Sequence, residues 1–254
     1  MIKNNMLLTL DIGNTNINFG VFSLPRCHDA KLLQKFILPT KEYSLRALKT
    51  ALGRNKINAA VICSVVPATA KILKNDLEKM FPGKVYLINK NIRLPIKNLY
   101  RYPAQVGQDR LVNAYAGVTL YKAPLIVVDS GTAVTFDVIS KNGEYLGGMI
   151  IPGLAISLAA LAEKTALLPK INLAAPKEFI GRDTKNSMLS GIIFGFAALT
   201  DDLVKRIKDM IGKRALVIGT GGNIRMIAKY CKELDKIDPD LTLKGLMLAY
   251  DNRK

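Results

Sequence analysis

Short apolar runs broken by polar turns recur along the chain, and two of these segments follow the same plan. Residues 7–22 read as an apolar run, the turn Asp-Ile-Gly-Asn-Thr-Asn at 11–16, and a second apolar run. Residues 125–139 repeat this order around Asp-Ser-Gly-Thr-Ala at 129–133. Each segment predicts a β-hairpin in which an Asp ends the first strand. The repeat predicts two halves that open in the same way.

Strand and helix patterns alternate after the first hairpin. The β-branched run at 59–66 predicts a buried strand, and the residues from 68 to 80 have helical spacing after Pro67. Residues 85–88 predict another strand. This alternation is typical of an α/β lobe.

The second half also contains alternating strand and helix patterns. Apolar residues with a helical period predict a long amphipathic helix over 184–211, either continuous or interrupted. A strand at 215–218 runs into the turn Gly-Thr-Gly-Gly-Asn at 219–223, a helix follows at 224–231, and a closing helix is predicted at 243–250.

An uncharged segment between Glu144 and Glu163 approaches the length of a membrane span. Glycines and a proline interrupt its first half, so we interpret it as a buried turn followed by a helix. We divide the chain into an N-terminal lobe at 1–120 and a C-terminal lobe at 121–254. We expect no membrane association.

Charge adds one alternative. The 254 residues carry 37 Lys and Arg against 20 Asp and Glu, a formal net charge of +17. Such a balance is compatible with nucleic-acid binding. The lysines are scattered without an interleaved aromatic platform, so we do not expect nucleic acid to be the main ligand. A basic field also attracts anionic substrates such as ATP.

The cysteines indicate a reducing compartment. Cys27, Cys63 and Cys231 are odd in number and form no C-x-x-C pair, which favours free thiols and a cytoplasmic protein. Cys27 precedes His28, the one histidine of the chain, and we interpret this pair as structural. No G-x-S-x-G motif accompanies the histidine, which argues against a serine hydrolase.

The two hairpin turns suit a phosphorylated ligand. Backbone amides at glycine-rich turns can surround a phosphate, and Asn14, Thr15 and Asn16 add side-chain donors. Asp11 fits such a site if Mg²⁺ lies between it and the phosphates. The alternative is that these residues only form an ordinary turn, and the repetition at 129–133 argues against it.

A separate group is Gly-Gln-Asp-Arg at 107–110, at the start of a predicted helix. Asp109 is either a helix cap or a general base, and Arg110 either pairs with it or binds an acidic substrate. Without a usable histidine, a carboxylate is the natural group to accept a hydroxyl proton during phosphoryl transfer.

Together these motifs resemble a known family. Two Asp-Gly-Thr hairpins are typical of the acetate/sugar kinase–Hsp70–actin superfamily, an α/β fold with two similar ribonuclease-H-like lobes. Within it, DIGNTNINFGVF, YPAQVGQDRLVNA, VVDSGTAVTFDVI, GGMIIPG, IGRDT and GTGGN resemble type III pantothenate kinases, in order and over essentially the whole chain.

The resemblance implies a phosphotransferase that uses ATP to phosphorylate the 4′-hydroxyl of pantothenate, the first step of coenzyme A synthesis. It implies Asp109 as the proton acceptor, Asp129 as ligand of a monovalent cation (K⁺ or NH₄⁺), and a homodimer, for which we expect the helix at 184–211 to form the interface. The implied ATP contacts are Asp11, Ile12, Gly13, Asn14, Thr15, Asn16, Ile17, Asn18 and Thr132. The implied pantothenate contacts are Tyr100, Gly107, Gln108, Asp109, Arg110 and Thr184.

One position departs from the family. Gln108 stands where the family more usually has Ala, which affects fine positioning of the substrate rather than the reaction class. Two other functions stay open: a non-catalytic regulatory homologue on the same fold, and a kinase for another small hydroxy acid.

Overall fold

The computed structural model describes residues 5–24 and 30–253. It separates into two compact units. The first unit comprises Met1–Pro95, Ala104–Ala116 and Leu241–Lys254, and the second comprises Ile96–Pro103 and Gly117–Asp240.

The described strands form two five-stranded sheets. They are β1 (Asn5–Ile12), β2 (Asn16–Leu24), β3 (Lys31–Pro39), β4 (Ile57–Ser64), β5 (Val85–Leu87), β6 (Leu125–Ser130), β7 (Ala133–Ile139), β8 (Tyr145–Pro152), β9 (Leu216–Thr220) and β10 (Lys236–Ile237).

Seven α-helices occur in the same part of the chain. They are α1 (Leu45–Leu52), α2 (Pro67–Met80), α3 (Gln108–Tyr121), α4 (Leu154–Lys164), α5 (Thr184–Ile211), α6 (Ile224–Ala228) and α7 (Leu241–Asp251).

The two sheets have the same topology. The first has the order β3-β2-β1-β4-β5, and the second has the order β8-β7-β6-β9-β10. In each, three antiparallel strands are followed by two strands that run parallel to the first. The prediction of two similar ribonuclease-H-like lobes is confirmed.

The first sheet buries its two faces differently. Leu8 and Leu10 of β1 pack in a core with Leu48 of α1 and Leu73 of α2. Because side chains alternate along a strand, Asp11 of β1 points to the opposite face. Helix α7 packs on this sheet against β1, β2 and β4.

Helix α5 is the longest element, with 28 uninterrupted residues that match the predicted bounds. It is long and apolar enough to cross a membrane by length and composition alone. Its most apolar window is 44% buried inside the protein.

Some elements differ from the sequence prediction. The residues at 145–152, which we expected to form a buried turn, are the edge strand β8. Strand β3 and helix α1 were not predicted, and α6 ends at Ala228 rather than at 231. Cys27 and His28 lie outside the described residues, so their interpretation stays a prediction.

The C-terminal helix α7 belongs to the first unit. The predicted boundary at residue 120 places this helix in the C-terminal lobe. Helix α3 contributes residues to both units, because Ala116 closes one segment and Gly117 opens the next. The functional division into two lobes stays a prediction.

Candidate active site

The first candidate site is the turn that joins β1 to β2. The Gly13 amide donates to the Asn16 carbonyl at 2.9 Å, which closes the turn. The segment before α1 supports it, because the Thr40 hydroxyl donates to the Gly13 carbonyl at 2.7 Å and the Thr40 amide donates to the Thr15 carbonyl at 2.9 Å. Asn14, Thr15 and Asn16 are exposed. The turn therefore presents polar groups to solvent on a fixed backbone.

The apolar members of this turn have a different role. Ile12 and Ile17 are fully buried in the core of the first unit. Their side chains anchor the two strand ends in this core. Their assignment as ATP contacts stays a prediction.

The charge of Asp109 acts on Asp11. Burial and the negative charge of Asp109 raise the pKa of Asp11 to about 7. A hydrogen bond from the side-chain Nδ2 of Asn18 to Asp11 Oδ2, at 3.2 Å, acts in the opposite direction and lowers this pKa. Burial also raises the pKa of Asp109, against the opposing effects of the Arg110 amide and guanidinium. The structure thus brings together two predicted site carboxylates that lie 98 positions apart in the sequence.

The start of α3 fixes the Asp109 side chain. Its Oδ1 atom accepts a hydrogen bond from the Arg110 amide at 2.9 Å. Gly107 leaves the space for this arrangement, because a Cβ atom there would lie 2.4 Å from Asp109 Oδ1. Arg110 is buried and Gln108 is partly buried.

Cys63 belongs to the same group, which sequence reasoning missed. It lies opposite Asp11 in the parallel register of β1 and β4. Burial and the charges of Asp11 and Asp109 raise the pKa of its thiol well above the ordinary value. The buried run at 59–66 contained this cysteine, but register with β1 could not be read from the sequence.

The second candidate site is the turn between β6 and β7. The Gly131 amide donates to the Ala133 carbonyl at 3.0 Å, and the Gly153 amide donates to the Thr132 carbonyl at 3.1 Å. A Cβ atom at Gly153 would lie 2.2 Å from that carbonyl oxygen. The start of α4 therefore packs tightly against this turn, a contact that the sequence did not indicate.

The third glycine-rich turn, at 219–223, packs on the same site. The Asn223 amide donates to the Ser130 carbonyl at 2.9 Å. Gly221 has a φ of 90°, and a Cβ atom there would lie 2.3 Å from Asp129 Oδ1. The backbone of this turn thus borders the Asp129 carboxylate, and only glycine fits.

The remaining predicted contacts lie on separate elements of the second unit. Tyr100 is partly buried beside Tyr145 and Gly147. Thr184 is the exposed first residue of α5, whose N-cap Asp183 accepts a hydrogen bond from the Asn186 amide at 2.8 Å. Their roles in binding pantothenate stay predictions.

The predicted site carboxylates suit a cation that takes most of its ligands from water and substrate rather than from protein. The described residues contain no group of three or more His, Cys, Asp or Glu side chains able to hold a metal ion. Asp11 carries a charge disfavoured by burial and by Asp109, and a nearby cation would relieve this. Mg²⁺ commonly takes one or two protein carboxylates and completes its shell with water and phosphate.

Comparison with known proteins agrees with these features. The family model of type III pantothenate kinases matches residues 7–206. A type III pantothenate kinase of Dehalococcoides mccartyi strain CBDB1 is 38% identical over 253 residues, which cover 98% of this chain and 96% of the relative. One from Syntrophus aciditrophicus is 40% identical over 96% of this chain and 98% of the relative.

Solved structures support the fold. A protein from Campylobacter jejuni described as a Baf family transcriptional activator has a TM-score of 0.62 at 22% identity, covering 96% of this chain and 97% of that one. An activator of 2-hydroxyisocaproyl-CoA dehydratase from Clostridium difficile, solved with bound ADPNP, has a TM-score of 0.55 at 14% identity, covering 98% of this chain and 95% of that one.

Proposed function

Because this chain belongs to the type III pantothenate kinase family, we propose that it transfers the γ-phosphoryl group of ATP to the 4′-hydroxyl of pantothenate. The product is 4′-phosphopantothenate, the first intermediate of coenzyme A synthesis. The observation that carries the proposal is the glycine turn after β1, closed by the Gly13–Asn16 hydrogen bond, in the same unit as the Asp109 carboxylate that the Arg110 amide holds at the start of α3.

The turn at 11–18 binds the ATP phosphates. Its exposed residues Asn14, Thr15 and Asn16 offer hydrogen-bond donors, and the Thr40 hydrogen bonds keep its backbone in place. Asp11 would hold Mg²⁺ through its carboxylate, and the ion would neutralise phosphate charge. Thr132 contributes a further nucleotide contact from the β6–β7 turn.

Asp109 accepts the proton of the attacking hydroxyl. The Arg110 amide orients its carboxylate, and burial makes this carboxylate more basic than an ordinary aspartate. A loose phosphoryl-transfer transition state asks for proton removal late in the reaction, so a carboxylate is a sufficient base.

The acidic substrate needs a cationic partner. Arg110 is buried next to Asp109, and a guanidinium suits a carboxylate ligand. Gly107, Gln108, Tyr100 and Thr184 supply the other pantothenate contacts.

Asp129 would be a ligand of a monovalent cation, K⁺ or NH₄⁺. The backbone of the turn at 219–223 borders its carboxylate. Backbone carbonyls and one carboxylate are suitable ligands for a large singly charged ion.

The enzyme acts as a cytoplasmic homodimer. One face of α5 supports this, because Gly191 and Gly195 are exposed and have no atom within 4 Å of a Cβ built there. Such an open face of small residues lets another helix approach closely.

The test is ADP release by the purified protein with ATP, Mg²⁺ and pantothenate, with and without K⁺. The expected result is turnover that depends on pantothenate and rises with K⁺. If ADP is released only with another hydroxy acid, that acid is the substrate and pantothenate is not. If no acceptor gives turnover, the regulatory alternative is favoured.

A further inference from the structure

The backbone of the segment that carries Tyr100 is hydrogen-bonded to strand β8 at Tyr145. The Leu99 amide donates to the Tyr145 carbonyl at 2.8 Å, and the Tyr145 amide donates to the Lys97 carbonyl at 2.9 Å. These bonds flank an isolated parallel bridge between Asn98 and Tyr145. The position of Tyr145 therefore sets the position of the Tyr100 segment.

A buried carboxylate holds the Tyr145 side chain. Tyr145 and Asp137 are both fully buried, and the phenol donates to Asp137 Oδ1 at 2.9 Å. The Thr135 hydroxyl donates to the other carboxylate oxygen at 3.2 Å. Moving the Tyr145 ring would remove a hydrogen-bond donor from a buried polar group, which is costly, so the ring has one preferred position.

The Tyr100 ring lies over a glycine. Gly147 is buried with a φ of 131°, and a Cβ atom there would lie 3.3 to 3.4 Å from two ring carbons of Tyr100. The Tyr100 and Tyr145 rings are tilted, with centroids 6.4 Å apart. The Asn98 side chain accepts a hydrogen bond from the Tyr100 amide at 2.9 Å, which fixes the backbone as well.

We infer that Asp137, Tyr145 and Gly147 are positioning residues, which hold the Tyr100 ring in place to bind the organic-acid substrate. The inference rests on the proposed function, in which Tyr100 contacts pantothenate. A buried polar network adds little stability compared with apolar packing, but when its hydrogen bonds are satisfied it favours a single geometry.

The first test is Gly147→Ala. The added methyl group displaces the Tyr100 ring, and we expect the KM for pantothenate to rise on the order of tenfold, with kcat and the KM for ATP within about twofold. Gly143→Ala is the matched control. Gly143 also has a positive φ, 76°, but its Cβ atom would meet Val118 and not Tyr100.

The second test is a double-mutant cycle. Tyr145→Phe keeps the ring and removes the hydroxyl, so it should raise the KM for pantothenate in the unsubstituted background. In a Tyr100→Ala background, both Tyr145→Phe and Gly147→Ala should have little further effect, because they act through Tyr100.

The outcomes separate the two proposals. Suppose that the unsubstituted protein turns over pantothenate. The positioning role is then wrong if Gly147→Ala and Tyr145→Phe leave the KM for pantothenate unchanged, or if their effects are additive with that of Tyr100→Ala. If the unsubstituted protein shows no pantothenate-dependent turnover, the proposed function is wrong and this inference fails with it.

Discussion

Asp11 carries a charge that the fold disfavours. Its pKa is raised from 3.8 to about 7, first by burial and then by repulsion from Asp109. In the unfolded chain this group loses its proton near its ordinary pKa. The folded protein therefore binds the proton more tightly, and it loses stability relative to the unfolded chain as the pH rises from about 4 to about 7.

Asp11→Asn should remove this loss. We expect the variant to be more stable than the parent at pH 8, by on the order of 1 to 4 kcal/mol, and the difference to shrink as the pH falls to 5. Urea unfolding at the two pH values measures it. Asp202→Asn, at an exposed ion pair with Arg206, is the control and should change little at either pH. An equal difference at both pH values would contradict the account.

Gly107→Ala should displace the Asp109 carboxylate, the proposed general base, while the protein stays folded. Its Cβ atom would lie 2.4 Å from Asp109 Oδ1, so the carboxylate must rotate away from the Arg110 amide. We expect kcat to fall about 10- to 100-fold while the KM for ATP changes little.

The Asp109→Asn background serves as the control for Gly107→Ala. Because both changes act on one carboxylate, adding Gly107→Ala to Asp109→Asn should lower kcat little further. A full multiplicative loss would show that Gly107 acts by another route.

At the scale of the element, local patterns predicted some parts well. The two hairpins and α5 follow from apolar periodicity and turn residues that lie close together in sequence. Strand β8 was missed because two glycines and a proline lie in it, and its place is set by pairing with β7. Strand β3 is likewise an edge strand, fixed by its pairing with β2.

The same distinction applies to the site. The motifs identified Asp11 and Asp109 separately, since each has a characteristic local sequence. Their proximity to one another and to Cys63 depends on strand register and on the placement of α3, which no local pattern contains.

The contact between α7 and α3 gives a prediction at this scale. A Cβ atom at Gly245 would lie 2.7 Å from a Val112 methyl and 2.8 Å from the Val112 carbonyl oxygen. Gly245→Ala should therefore destabilise the protein by about 1 to 3 kcal/mol, despite the higher helix propensity of alanine. Urea unfolding measures the change.

Gly191→Ala is the matched control for Gly245→Ala. It lies in α5 with nothing within 4 Å of its Cβ position, so it should stabilise the monomer by about 0.5 to 1 kcal/mol. Both unfolding experiments should use a protein concentration at which the chain is monomeric. A shift in the same direction for both variants would contradict the packing argument.

For the whole molecule, the proposed dimer can be tested through α5. Gly195→Glu places a charge on the exposed face of small residues and should convert dimers to monomers in sedimentation velocity. Met210→Glu is the control, because Met210 is 85% exposed and lies about 22 Å further along the same helix. If both variants lose the dimer, or if neither does, the result would contradict an interface at the small-residue face of α5.

The net charge of +17 is a property of the whole chain rather than of the site. A positive field attracts ATP and an organic acid alike, which is compatible with the proposed reaction. The scattered positions of the lysines gave no prediction about which surface matters.

The most direct test of the central claim is mass-spectrometric detection of phosphopantothenate formed from ATP and pantothenate, compared between the protein and Asp109→Asn. We expect the parent to form the phosphorylated product, and Asp109→Asn to form it at least about 100-fold more slowly while ATP still binds. No phosphopantothenate from the parent would contradict the proposed reaction, and an undiminished rate in Asp109→Asn would contradict the role of Asp109.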